Sequence, residues 1–139
     1  METKLALKAL VVLMRASQSV QDIVKQDMGK YGVNPTEFAV LELLYHKGDQ
    51  PIQHIGKKIL LASSSITYVV DKLEGKGYVQ RVACPKDRRV TYASITDEGK
   101  AFIEEAFPQH EQTIETIFKD LSDDELETVI ALLKKIGLS

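Results

Sequence analysis

Apolar positions along the chain fall into blocks at helical spacing, separated by short stretches rich in glycine, proline and charge. Residues 3–30 predict one long helix, free of proline, with Gly29 near its end. From Leu5 to Met14 its apolar positions are nearly continuous, which predicts cover on more than one side. "GVNPTEF" resets the chain, with Asn34 as N-cap, Pro35 in the first turn and Glu37 closing a capping box. Phe38, Val40, Leu41, Leu44 and Tyr45 then follow at helical spacing until "KGDQP". Two short helices are predicted next, from about Pro51 to Ile59 and from about Ser63 to Glu74, with Leu60, Leu61 and Ala62 turning between them. Gly75 and Gly77 end the second, and β-branched and aromatic residues predict strands at Tyr78–Ala83 and Val90–Ile95. "CPKDRR" joins those strands as a hairpin.

Thr96 caps the next helix, with Asp97 and Glu98 in its first turn. Inside it Ile103, Phe107, His110, Ile114, Ile117 and Leu121 step by 4, 3, 4, 3, 4, the seam one helix offers another. Pro108 is expected to bend it. Ser122 and Glu125 form a second capping box, opening a last helix whose stripe is Leu126, Val129, Ile130, Leu133 and Ile136. The fold class expected is mostly α with a small β-hairpin.

Charge changes the picture, because the formal net of −2 over 139 residues hides a gradient. Residues 1–50 are neutral and residues 97–139 carry net −7. Residues 51–96 hold Lys57, Lys58, Lys72, Lys76, Arg81, Lys86, Arg88 and Arg89 against Asp71, Glu74 and Asp87, net +5. An anionic partner that meets only the middle of the chain accounts for this distribution. Composition, 44% hydrophobic and 27% charged, is that of a globular domain. The longest apolar run, Ala9 to Met14, is too short for a membrane span, so no membrane partner is expected. A single cysteine, Cys84, forbids an intramolecular disulfide and fits a reducing, cytoplasmic setting.

On the helix from Ser63, the positions Ile66, Val69, Val70 and Leu73 fix the buried face. The opposite face is Ser64, Thr67, Tyr68 and Asp71, flanked by Ser65 and Lys72. Small hydroxyls near a helix N-terminus allow close approach and bond either base edges or phosphates. A helix, a tight turn, a second helix with that face, then a hairpin tipped with arginines describe a winged helix-turn-helix lobe. Its second helix is expected in the major groove of double-stranded DNA, with the hairpin arginines reaching a minor groove. Asp87 beside Arg88 and Arg89 suits a partner that fixes the direction of a guanidinium.

"DRRVTYASITDEGK", residues 87–100, resembles the wing signature of the MarR family of bacterial transcriptional regulators. That signature is Asp, any residue, Arg, a strand ending in Leu/Ile-Thr and an acidic-Gly helix start, here Asp87, Arg89, Ile95 and Thr96. "SSSITYVVDKLEGKGYVQR", residues 63–81, resembles the family's recognition helix and its exit into the wing, and the helix order matches over essentially the whole chain. The resemblance implies one domain over 1–139, with a DNA-binding lobe at about 34–96 and dimerisation helices at 1–33 and 97–139. It implies a homodimer on a pseudo-palindromic operator, more often repressing than activating, and released by a small phenolic or other aromatic effector. Carried over by position, Arg89 is the minor-groove arginine and Asp87 its buttress, with Lys86 and Arg88 beside them on the wing. Ser63, Ser64, Ser65, Thr67 and Tyr68 become major-groove readers and Lys72 a backbone contact. The seam after Ile103 and the apolar surface of residues 5–14 independently exceed what one small lobe covers, and a two-fold dimer sets its recognition helices about 34 Å apart.

An effector cleft is expected where the first two helices meet the lobe, near Met14, Arg15, Ser19, Tyr45 and His46. His46, His54 and His110 are expected in surface or capping roles. Cys84, beside Lys86 and Arg88, opens an alternative in which the regulator senses oxidants or electrophiles, although sensing thiols in such relatives usually sit elsewhere, often near the N-terminus. Catalysis is not expected: the chain has no Gly-rich phosphate loop, no HExxH, no Cys-x-x-Cys and no nucleophile elbow. No metal or other cofactor is expected either. Asp123, Asp124 and Glu125 read as helix-start residues. A winged-helix module that binds protein instead of DNA is the remaining alternative, disfavoured by Arg88, Arg89 and the hydroxylic helix face.

Overall fold

The computed structural model describes residues 1–59 and 63–137, and the side chains of Ser63 and Ser64 lie outside the described set. In chain order the elements are α1 (Thr3–Gly29), α2 (Pro35–Lys47), β1 (Gln50–Pro51), α3 (Ile52–Lys58), α4 (Ser63–Gly75), β2 (Val79–Ala83), β3 (Thr91–Ile95), α5 (Asp97–Ile117) and α6 (Asp123–Gly137). The turn expected at Leu60, Leu61 and Ala62 falls outside the described residues.

The caps form as the local sequence requires. Asn34 Oδ1 accepts from the Glu37 amide at 2.8 Å, and Glu37 returns the bond to the Asn34 amide at 3.0 Å. Ser122 and Glu125 repeat the arrangement ahead of α6. Glu37 does more than cap: it is buried, and its second oxygen lies 2.8 Å from Lys76 Nζ, which also donates to the Gly32 carbonyl. One lysine thus ties the exit of α4 to the entry of α2.

Phe38, Leu41 and Leu44 of α2, Ile55 of α3, and Ile66, Val70 and Leu73 of α4 form the centre of the core. Val79, Ala93 and Ile95 close it from the sheet and Ile103 from α5. The sheet corrects the expected hairpin: it has three antiparallel strands in the order β1-β3-β2. Gln50 pairs with Ala93 and Pro51 with Tyr92, so Pro51 belongs to an edge strand and α3 starts one residue later. Pro51 is tolerated there because an edge position need not donate to the ladder.

The apolar surface that the lobe was expected to leave uncovered is bare, and one expectation, the place of His110, changes. Leu5, Leu7, Leu10, Val11, Val12 and Met14 are all exposed in the single chain, Leu10 by 55%, because the N-terminal half of α1 extends past the lobe. Nothing in α6 is buried either, and the α5 seam divides into a covered part, Ile103 to His110, and an exposed Ile114. His110 is not a surface residue. Its ring lies 5.1 Å from that of Phe38, and its Nδ1 donates to Asp27 Oδ2 at 2.9 Å, in the interior between α1 and α5.

Candidate nucleic-acid interface

α4 separates its faces cleanly. Ile66, Val69, Val70 and Leu73 point into the core, while Ser65, Thr67, Tyr68, Asp71 and Lys72 are exposed. Tyr68 is 60% exposed, and Lys72 Nζ sits 5.1 Å from the centre of its ring, a cation–π distance that holds phenol and ammonium together on the outer face.

The wing tip is built by one aspartate. Asp87 opens a turn in which the Val90 amide donates to the Asp87 carbonyl, and the Cys84 amide donates to Val90 to close the loop base. Asp87 Oδ1 accepts from the Arg89 amide at 3.0 Å, the side-chain turn that favours Asp at this place. The same oxygen accepts from Arg89 Nε at 3.1 Å, and Oδ2 faces Nη2 at 3.4 Å. These bonds from Arg89 hold the Asp87 carboxyl below its ordinary value. The Arg89 side chain is nevertheless 91% exposed, so the guanidinium is aimed without being covered. Lys86 and Arg88 are exposed on the same loop. Cys84 is a half-buried free thiol at the base of the wing.

Arg81, which the sequence alone places only within the basic segment, holds the wing to α4. From β2 its Nη2 reaches Asp71 at 2.6 Å and its Nη1 reaches Glu74 at 2.7 Å. Its amide donates to Glu74 Oε2 at 3.3 Å and its Nη2 lies 3.5 Å from the Thr67 carbonyl. Asp71 is therefore engaged, so the outer face of α4 presents hydroxyls, a phenol and a lysine. The available signal was an arginine seven and ten residues beyond two acids, a spacing with no rule until the turn after Gly77 folds back. Between α3, α4 and the wing lies a cleft of about 550 Å³ bordered by Gln53, His54, Thr67, Arg81, Arg89 and Tyr92. Thr67 of the helix and Arg89 of the wing thus border one groove.

The expected effector residues separate. Tyr45 and His46 line a small apolar cleft of about 210 Å³ with Ile103, Glu104, Phe107 and Pro108. Tyr45 Oη donates to Glu104 at 3.1 Å, and that bond pushes the phenol pKa up. Met14, Arg15 and Ser19 lie exposed on α1 and do not line this cleft within the single chain.

Residues 33–91 match the MarR family model, a segment running from the entry of α2 to the start of β3. The chain is also 53% identical over 137 residues to the HTH-type transcriptional regulator MhqR of Bacillus subtilis strain 168, covering 99% of this chain and 94% of that protein. The chain belongs to the MarR family. As in MarR-family regulators generally, the lobe is a DNA-binding winged helix-turn-helix that serves transcriptional regulation. Sco3205 of Streptomyces coelicolor, a MarR-family regulator solved in complex with DNA, superposes with a TM-score of 0.90 at 19% identity, over 99% of this chain and 88% of that one. BpsR of Bordetella bronchiseptica, whose DNA binding is regulated by 6-hydroxynicotinic acid, gives 0.83 at 25% identity, with 92% and 91% coverage. No helix among the described residues is long and apolar enough to cross a membrane.

Proposed function

We propose that this MarR-family regulator is a cytoplasmic repressor that binds a pseudo-palindromic operator as a homodimer and leaves it when a small aromatic ligand binds. One observation carries the DNA-facing part: Thr67 on α4 and Arg89 on the wing border the same groove, with Tyr68 and Lys72 exposed beside them. In this reading Ser63, Ser64, Ser65, Thr67 and Tyr68 meet base edges, Lys72 and Lys86 meet phosphates, and Arg89 enters a minor groove on its Asp87 support, with Arg88 alongside. The exposed apolar faces of α1 and α6 support dimerisation through residues 1–33 and 97–139, leaving 34–96 as the lobe. The cleft between Tyr45, His46 and Phe107 has the size and apolar character for one aromatic ring, and a ligand-regulated relative, BpsR, supports ligand control.

The test is selection of a duplex from a random pool, followed by titration of wild type and Arg89→Ala. The variant is expected to remain dimeric, to bind at least about tenfold more weakly, and to lose about one unit of slope in log affinity against log salt. Binding equal to wild type counts against the wing assignment. Adding salicylate-type phenols and, separately, a quinone or peroxide divides the sensing readings. Release by the phenol alone supports the cleft; release by the oxidant, reversed by thiol and absent in Cys84→Ser, transfers sensing to Cys84.

A further inference from the structure

Arg81 is the most thoroughly partnered cation in the basic segment, and its partners all lie on one helix. Thr67, Asp71 and Glu74 are spaced so that they line one face of α4, and the guanidinium spans that face with its two terminal nitrogens on two different carboxylates. Its side chain is only 27% exposed, against 91% for Arg89. Two carboxylates around one guanidinium leave a local charge of −1, which repels a phosphate instead of attracting it. A planar fork fixed at both ends also defines direction as well as distance, which an ammonium on a flexible stem does not.

Resting on the DNA-binding reading above, we propose that Arg81 is a positioning residue. It sets the wing at a fixed angle to α4, so that Thr67, Tyr68 and Arg89 meet the duplex as one surface. It makes no phosphate contact of its own. The turn around Gly77 and the packing of Val79 also join the wing to α4, both at the far end of the hairpin from Arg89. The brace is what carries that geometry outwards along β2.

The measurement uses the full-length protein, the duplex that wild type selects and a scrambled duplex of equal length, at several salt concentrations. Arg81→Lys keeps the charge and loses the fork; it is expected to bind the selected duplex about tenfold more weakly while binding the scrambled duplex like wild type. The pair Asp71→Asn with Glu74→Gln makes this surface more positive by two charges, yet is expected to weaken selected-duplex binding by a similar factor. Arg81→Lys added to that pair is expected to cost little more, since the same brace is already gone. The salt slope stays that of wild type in Arg81→Lys and in Arg81→Gln. Three outcomes overturn the proposal: Arg81→Lys binding like wild type, the Asp71/Glu74 pair binding tighter, or a slope that falls by about one in Arg81→Gln. An equal loss on both duplexes, with a lowered melting temperature, also overturns it, since that marks general destabilisation. If wild type enriches no duplex at all, the DNA reading itself fails, and with it the role given to Arg81.

Discussion

Asp27 is a buried carboxylate that three side chains engage. Burial raises the pKa of its carboxyl, but hydrogen bonds from His110, Thr113 and Tyr31 outweigh burial and hold it below the ordinary value of 3.8. Because the folded value is the lower one, the carboxylate stabilises the fold fully above that ordinary value, and the contribution is lost as pH falls from there through the lower folded value. Asp27→Asn is therefore expected to flatten the acid limb of stability, read from thermal melts between about pH 3 and 7. Asp27→Ala, which leaves the buried His110 and its neighbours Tyr31 and Thr113 without their acceptor, is expected to cost on the order of 3 kcal/mol at neutral pH. A melt profile unchanged by Asp27→Asn would show that the carboxylate is not what holds α1 to α5. Nothing in the sequence announced this pair. His110 occupies an apolar position of the seam, and its partner lies 83 residues away. Asp87 and Arg89, two residues apart, were legible for the opposite reason: a turn brings them together without help from the rest of the fold.

The same range rule governs whole elements. Caps at Asn34, Thr96 and Ser122 could be read directly because each is completed within three residues. The two-residue strand β1 could not, since it is too short to show a period and pairs with residues some forty positions later. Gly99 illustrates a constraint between the two ranges. Its amide donates to Thr96 Oγ1, Thr96 Oγ1 donates to the Gly77 carbonyl at 2.6 Å, and the Thr96 amide donates to Tyr78. A Cβ on Gly99 would run into the Tyr78 carbonyl oxygen and the Ile95 side chain, and the backbone cannot yield while those bonds hold. Gly99→Ala is expected to lower stability by about 1–3 kcal/mol, measured by urea unfolding, with DNA affinity falling alongside. A neutral result would mean that α5 starts further from the sheet than this geometry allows.

Across the whole molecule, the division between a covered lobe and bare flanking helices was half legible. The apolar run at Leu5–Met14 and the stripe of α6 showed that cover was needed, while the chain alone does not supply it. On the dimer reading, Leu10→Glu places a charge on that face and is expected to give a folded monomer in sedimentation velocity, with DNA binding lost at the same concentration. A dimer that survives this change would relocate the interface away from α1. The structure also has a mechanical consequence. α5 is fastened to the wing exit at its N-cap, Thr96, and to α1 at His110, just past Pro108. At 1.5 Å per residue the arm from Thr96 to His110 is about 21 Å long, about twice the arm from His110 to Ile117. A tilt of about 10° about His110 would move the wing exit by about 3.6 Å, close to the roughly 3.4 Å rise of a base pair. A load applied near the far end of α5 would therefore reach the wing about doubled, as a stroke of about one rung of the duplex.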